Sequence, residues 1–153
     1  RIEQIYRIRS SSYPSCHLNS VQMSRVLSFK SLCNKASESQ SDAIIALSGS
    51  GPAYFFYILD SMVKTGVSMG LDKQFALDLI LQAASGAVEM VRKSNVQPSE
   101  LCGKVTLANG ITESALRMFE LGNLSDDIRL ALKAAYHRSK EISLEINAEI
   151  TRH

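Results

Sequence analysis

The stretch from Asp72 to Ser94, DKQFALDLILQAASGAVEMVRKS, carries the pattern that decides the fold. Asp72 is a typical helix cap, because its side chain can accept hydrogen bonds from the unpaired amides of a first turn. Apolar residues then recur at three- and four-residue spacing, at Phe75, Ala76, Leu79, Ile80, Ala83, Ala87, Met90 and Val91. A second apolar row follows another side, at Leu77, Leu81, Ala84 and Val88. A helix that is apolar on two sides is buried between neighbours or in a subunit interface.

The preceding helix is predicted from Pro52, which suits a first helical turn because its missing N–H costs nothing there. Either Ser50 or Gly51 caps this helix, and the pattern continues to about Gly70. Its apolar residues are Tyr54, Phe55, Ile58, Leu59, Met62 and Val63. The sequence therefore predicts two neighbouring helices joined by a short turn.

Three more helices are predicted towards the C-terminus. Pro98 opens a short helix that reaches about Lys104, and a polar stretch follows it. The next helix runs to Leu121 and is closed by Gly122. The last helix begins at a Ser125 cap and has two aspartates in its first turn, where the helix dipole favours negative charge.

One segment alone resembles a strand, Ala43 to Leu47, and there are no internal repeats. Gly66 and Gly86 each lower helix propensity by about 1 kcal/mol relative to Ala. We expect both glycines to mark close approaches between helices, as in a tightly packed bundle or dimer. The predicted class is all-α.

Composition and charge exclude several classes of protein. The chain has 153 residues, 45% hydrophobic and 21% charged, which fits one soluble domain with a core. Residues 41–153 carry eleven basic side chains against thirteen acidic ones, so we expect no nucleic-acid partner. No uninterrupted apolar run approaches the roughly 20 residues of a membrane span, so we expect no membrane partner. Cys16, Cys33 and Cys102 form no CxxC, which favours reduced thiols.

Residues 1–41 differ from the remainder in composition. Six basic residues stand against two acidic ones in residues 1–40, and eight serines lie between Arg1 and Lys35. This composition is typical of a disordered tail, but it also fits a mitochondrial or plastid targeting segment or a displaced start of the chain. We expect a cytoplasmic location, with an organelle as the alternative.

The motif AIIALSGSGPAYFF, Ala43 to Phe56, imitates the opening of a dinucleotide-binding unit. The third glycine of G-x-G-x-x-G falls on Tyr54, whose side chain would obstruct helix–strand packing. Ser48 and Ser50 are not at the centre of G-x-S-x-G, which argues against a serine hydrolase. His17, His137 and His153 form no HxxxH pair, so no metal site is expected.

The polar stretch VTLANGIT, Val105 to Thr112, is the remaining candidate site. A loop that enters a helix offers unpaired backbone N–H groups and the positive end of the helix dipole, which together bind anions. A substrate carboxylate could bind there, with the Thr112 hydroxyl beside it. The alternative from the residues alone is an ordinary helix cap with no ligand.

Several motifs occur in the same order and spacing as in a known family. They are ALSGSGPAY (Ala46–Tyr54), GVSMGL (Gly66–Leu71), GAVEMV (Gly86–Val91), Pro98-x-x-Leu101, VTLANGIT where the family has VTSPGGTT, and RSKEI (Arg138–Ile142). Residues 42–141 resemble the C-terminal dimerisation domain of pyrroline-5-carboxylate reductase. We expect residues 42–150 to form that domain and residues 1–41 to lie outside it.

The resemblance implies a helical bundle that interleaves with a second copy, like the C-terminal domain of 6-phosphogluconate dehydrogenase. Such reductases convert 1-pyrroline-5-carboxylate to L-proline in proline biosynthesis. Their N-terminal Rossmann domain binds NADPH or NADH, and their homodimers often assemble into decamers. This chain has no such domain, so we expect no cofactor-binding residues in it and no reductase activity from it alone.

The resemblance also assigns site residues. The family's loop presents backbone amides to the substrate carboxylate, and its final threonine forms a hydrogen bond near the imine nitrogen. Carried over, the substrate-binding residues are Thr106, Asn109, Gly110, Ile111 and Thr112. Thr112 is the catalytic candidate, because a positioned neutral hydroxyl suits an iminium whose charge vanishes on reduction.

The loop also departs from the family's pattern. Leu107, Ala108 and Asn109 replace Ser-Pro-Gly, and Ile111 precedes the final threonine. Asn109 tolerates a left-handed conformation, whereas Leu107 and Ile111 would crowd a small polar substrate if they faced it. The alternative function is therefore a non-catalytic helical homodimerisation module.

Overall fold

The computed structural model describes residues 37–150 of the chain. Residues 1–41 were predicted to be a tail, a targeting segment or a mispredicted or truncated start, and residues 1–36 of that segment lie outside the described residues. The described residues form two compact units. The first unit combines the residues up to Gly49 with those from Tyr136 onward, and the second unit is Ser50–Ala135.

Helices follow one another along the described chain. A 3₁₀ turn at Glu38–Gln40 precedes α1 (Ser41–Ile44) and a π-helical turn (Ile45–Gly49), followed by α2 (Gly51–Ser68), α3 (Lys73–Ser94), α4 (Pro98–Lys104), α5 (Ile111–Leu121) and α6 (Leu124–Ile150). No strand occurs between residues 37 and 150. The predicted all-α class is confirmed.

The strand expected at Ala43 to Leu47 is wrong. These residues belong to α1 and to the π-helical turn after it. A lone strand would leave its backbone N–H and C=O groups without partners, whereas a helical turn pairs them locally. The Ser48 hydroxyl also donates a hydrogen bond to the Ile44 carbonyl, and Ala46 is buried.

Asp42 joins the start of the first unit to the last helix. One oxygen of its carboxylate, Oδ1, accepts hydrogen bonds from Ser139 Oγ at 2.9 Å and from Ser143 Oγ at 3.2 Å. The two serines are four residues apart, so they lie on the same face of α6. Because Ser139 is buried, its hydroxyl needs this partner.

In the second unit, α2 and α3 pack against each other as a helical hairpin. Gly70 has a φ of +97°, a conformation that glycine adopts readily, and the turn is closed by the Leu71 N–H on the Gly66 carbonyl. A Cβ at Gly66 would lie 3.2 Å from Ala76 Cβ, so the predicted close approach at Gly66 is confirmed. At Gly86, no described residue of this chain comes within 4 Å of such an atom.

The ends of α3, α4 and α5 agree with the sequence. Asp72 caps α3, because its Oδ1 accepts hydrogen bonds from the Gln74 and Phe75 amides at 2.9 and 3.0 Å. Pro98 opens α4, and Gly122 follows the last residue of α5. Local capping chemistry was sufficient to place these boundaries.

The Ser125 cap predicted for α6 is wrong. The helix begins one residue earlier, at Leu124, so Ser125 lies inside it. Asn123 adopts a left-handed conformation with a φ of 53°, and its carbonyl accepts the Asp126 and Asp127 amides. Asn tolerates this conformation better than most residues. The turn before α6 therefore lies at Asn123, and the helix begins before Ser125.

The apolar faces of α2 and α3 are largely uncovered in the single chain. Among the described residues, the buried apolar side chains are Ala46, Val63 and Ala76. The exposed ones on these two helices are Phe55, Phe56, Tyr57, Ile58, Met62, Val67, Phe75, Leu79, Leu81, Val88, Met90 and Val91. This agrees with a helix predicted to be apolar on two sides, because most large apolar side chains of α2 and α3 stay uncovered within the described part of the chain.

The helical stretch Ser41–Ser68 is long and apolar enough, by length and composition alone, to cross a membrane. The expectation of no membrane span rests on the lack of an uninterrupted apolar run of roughly 20 residues. Asp60 and Lys64 form an ion pair of 2.6 Å within the stretch, and the side chains of both are exposed. This pair raises the pKa of Lys64 above its ordinary value, chiefly through its hydrogen bond to Asp60.

The contact at Gly66 predicts the effect of a larger side chain. Gly66→Val should lower the free energy of unfolding by about 2 kcal/mol, because the added methyl groups must displace Ala76. Gly103→Val is the matched control, since it makes the same substitution at a helical glycine where a Cβ meets nothing within 4 Å. Urea denaturation at one protein concentration measures both. Equal changes in both variants would contradict a cost set by the α2–α3 contact, because helix propensity alone favours Val over Gly.

Candidate functional site

At the start of the loop between α4 and α5, loop residues form hydrogen bonds with the last carbonyl groups of α4. The Val105 amide donates to the Leu101 carbonyl at 3.2 Å, and the Thr106 amide to the Gly103 carbonyl at 3.1 Å. The Thr106 hydroxyl donates to the Cys102 carbonyl at 2.7 Å. In this arrangement Thr106 Oγ1 can only accept a hydrogen bond from a ligand, because its proton is already used.

A tight turn follows at Leu107 to Gly110. The Gly110 amide donates to the Leu107 carbonyl at 2.9 Å, and Asn109 has a φ of 57°. Asn109 therefore occupies the left-handed conformation that the sequence predicted it could tolerate. Gly110 has extended backbone angles and caps α5 without a side-chain hydrogen bond.

Glu113 fixes this turn from within α5. Its Oε2 accepts a hydrogen bond of 2.6 Å from the Asn109 amide. Sequence reasoning missed this residue, although an acidic side chain three residues after a helix cap is the signature of a capping box. Here the carboxylate reaches one residue further back, to the amide before the cap.

The first turn of α5 offers unpaired backbone N–H groups. Within the part of the chain that the structure describes, the amides of Ile111, Thr112 and Glu113 donate to no backbone carbonyl. The helix dipole adds a partial positive charge at the same end. Groups of this kind bind anions in other proteins, and anion binding by this stretch stays a prediction.

The five predicted substrate-binding residues lie on this one loop and helix start. Thr112 is half-buried in the first turn of α5, whereas Asn109 is exposed and Gly110 is half-buried. Ile111 is 93% exposed and Leu107 75% exposed, so neither is held by packing in the single chain. Their role towards a substrate stays a prediction.

Other candidate groups are engaged elsewhere. The Ser48 hydroxyl bonds to a backbone carbonyl, and the His137 ring lies edge-on to Tyr136 with ring centroids 5.7 Å apart. Glu141 and Glu145 raise the pKa of Arg138 above its ordinary value, chiefly through the hydrogen bond to Glu141. Across residues 37–150, no three His, Cys, Asp or Glu side chains cluster as metal ligands.

The geometry of Gly110 predicts that this residue cannot be enlarged. A Cβ there would lie 2.8 Å from the Leu107 carbonyl oxygen, so Gly110→Ala should open the turn and lower the free energy of unfolding by about 2 kcal/mol. Gly103→Ala is the matched control, because a Cβ on α4 meets nothing within 4 Å and should raise stability by up to about 1 kcal/mol. Urea denaturation of both variants checks this. Unchanged stability in Gly110→Ala would contradict the described turn.

Comparison with known proteins identifies the domain. The family model described as pyrroline-5-carboxylate reductase dimerisation matches residues 38–142. The pyrroline-5-carboxylate reductase of Pseudomonas aeruginosa is 42% identical over 109 residues, which are 71% of this chain and 40% of that protein. The chain therefore spans less than half the length of this curated relative.

Two solved structures are similar in fold. A pyrroline-5-carboxylate reductase from Coxiella burnetii is 40% identical with a TM-score of 0.67, over 69% of this chain and 39% of that one. The Plasmodium falciparum pyrroline carboxylate reductase, solved with NADP bound, is 29% identical with a TM-score of 0.69, over 83% of this chain and 50% of that one. By the family match and by these relatives, the chain belongs to the pyrroline-5-carboxylate reductase dimerisation family.

Proposed function

We propose that this chain is the dimerisation and substrate-loop part of an enzyme that reduces 1-pyrroline-5-carboxylate to L-proline with NADPH or NADH. The observation that carries the proposal is the start of α5. There, Thr106, Gly110 and Thr112 keep the family's identities, and the amides of Ile111 and Thr112 are unpaired. The chain matches 40% of the length of its Pseudomonas relative, and the proposed activity is that of a whole reductase, of which this domain corresponds to one part.

The substrate is an anion at one end and an imine at the other. Its carboxylate would be held by the Ile111 and Thr112 amides, where the helix dipole adds favourable electrostatics. The Thr112 hydroxyl would form a hydrogen bond at the imine nitrogen and orient the ring. Such positioning supports reduction without any acid–base pair in the loop.

The described residues do not fit a nicotinamide cofactor. Gly49 and Gly51 lie in helical turns, and no strand precedes them within residues 37–150, so the strand–loop–helix unit of a dinucleotide site is not formed there. We propose that a separate cofactor domain supplies the hydride donor. The NADP bound to the Plasmodium reductase is consistent with a nicotinamide cofactor for this family.

We propose that the partner covering α2 and α3 is a second copy of the chain. Covering about 400 Å² of apolar surface stabilises an assembly by about 10 kcal/mol. A lipid bilayer is a poorer occupant, because the Asp60–Lys64 ion pair places two charged side chains in the last third of Ser41–Ser68. Assembly beyond a dimer stays a prediction.

A second candidate function has one observation in its favour. Leu107, Ala108 and Asn109 stand where the family has Ser-Pro-Gly, and Leu107 and Ile111 are exposed apolar side chains beside the amides. A domain that had lost catalysis could keep its dimer contacts while this loop diverged. The alternative is therefore a non-catalytic homodimerisation module.

The Thr112 hydroxyl provides a direct test of the proposed enzyme. The chain from residue 38 is joined to the cofactor-binding part of the Pseudomonas reductase, and oxidation of NADPH is followed with 1-pyrroline-5-carboxylate. Thr112→Val, which keeps the side-chain shape, should lower kcat/KM about 100-fold, because one positioned hydrogen bond at the reacting nitrogen is lost.

Thr112→Ser is the matched control and should stay within a few-fold of the parent chimera. Unchanged turnover in Thr112→Val would remove Thr112 from the proposed chemistry. A folded, dimeric parent chimera with no turnover would instead favour the non-catalytic module.

A further inference from the structure

Within residues 37–150, Glu113 is the acidic residue whose side chain forms a hydrogen bond with the backbone of the loop between α4 and α5. Its carboxylate accepts the Asn109 amide at 2.6 Å, a short distance typical of hydrogen bonds to a charged acceptor. The side chain of Glu113 is exposed and forms no ion pair within the described part of the chain. Its described contact is therefore with the loop itself.

The loop has few other constraints. Leu107, Ala108 and Asn109 are exposed, so no apolar packing holds the turn in the single chain. Among the described residues, the Thr106 amide and hydroxyl bond back to α4, and the turn after it has bonds from the Gly110 amide to Leu107 and from the Ser114 amide to Gly110. Asn109 is a non-glycine residue with a φ of 57°, which is sterically disfavoured unless its surroundings stabilise it.

We infer that Glu113 is a positioning residue, which holds Asn109 in its left-handed conformation and thereby aligns the unpaired Ile111 and Thr112 amides with the substrate carboxylate. The inference rests on the proposed function. Glu113 touches neither the substrate nor the reacting atoms in this account. It acts through the loop backbone, so it controls how well the carboxylate is bound.

Loss of a residue with this role lowers the affinity for substrate and leaves the turnover rate nearly unchanged. The carboxylate is held equally in the ground state and the transition state, so weakening the amides raises KM and leaves kcat nearly unchanged. The acceptor oxygen matters more than the charge, because Gln offers a carbonyl oxygen at the same reach. A negative charge beside an anionic substrate is unfavourable, so Gln should bind the substrate at least as well as Glu.

Steady-state kinetics of the same chimera test this inference. Glu113→Ala should raise KM for 1-pyrroline-5-carboxylate about tenfold, with kcat within about twofold, as expected for the loss of one side-chain hydrogen bond that orders the loop. Glu113→Gln should restore KM to the parent value or below. Glu120→Ala removes a carboxylate from the far end of α5 and should leave KM unchanged.

An unchanged KM in Glu113→Ala, or a raised KM in Glu113→Gln, would overturn the inference. A role limited to stabilising α5 through its dipole would not be rescued by Gln, because that effect needs the charge.

Amide hydrogen exchange in the 153-residue chain gives a readout that does not depend on activity. The Asn109 amide should exchange faster in Glu113→Ala than in the parent, and Glu113→Gln should restore its protection. Equal exchange in all three chains would overturn the inference even if the chimera were active. An inactive parent chimera with the expected exchange pattern would count against the proposed function and leave Glu113 as the residue that holds the loop.

Discussion

Burial of the apolar faces of α2 and α3 against a second copy is the interaction on which the rest of the proposed domain depends. In the single chain these helices contact each other closely at Gly66 and Ala76, yet most of their large apolar side chains face water. Apolar area of this extent is costly to leave exposed. We therefore expect the α2–α3 hairpin to form the dimer interface. A Cβ at Gly86 would meet nothing within 4 Å, so the surface beside Gly86 is available to the partner.

The substrate loop relies on a different kind of constraint. Its shape is set by hydrogen bonds between residues close in sequence, from Thr106 to Cys102, from Gly110 to Leu107 and from Asn109 to Glu113. Such a loop can change its residues while keeping its backbone path, provided that a left-handed position and a glycine cap remain. This explains how Asn109 can stand where the family has glycine.

Much of the fold could be predicted from the sequence, because local chemistry decides it. The Asp72 cap, the proline at the start of α4 and the glycine after α5 each satisfy backbone groups within a few residues. The strand expected at Ala43 to Leu47 failed because a short apolar run has no period that separates a strand from a buried helical turn. The Ser125 cap failed because Asn123 reverses the chain first.

The sequence predicted which segment forms the candidate site, but not the hydrogen bonds within that segment. The spacing located the loop and its helix, and the resemblance added roles for Thr112 and its neighbours. It did not reveal that the Thr106 proton is used by Cys102 or that Glu113 binds the Asn109 amide, because both depend on the path of the backbone through the turn. The exposure of Leu107 and Ile111 likewise depends on tertiary structure.

Sedimentation equilibrium of the purified chain at micromolar concentration tests the central claim most directly. The account predicts a stable species of twice the chain mass, with no measurable monomer, because the faces of α2 and α3 need a partner of the same kind. A monodisperse, folded monomer over this range would contradict it, since the exposed apolar residues of both helices would then be tolerated in water.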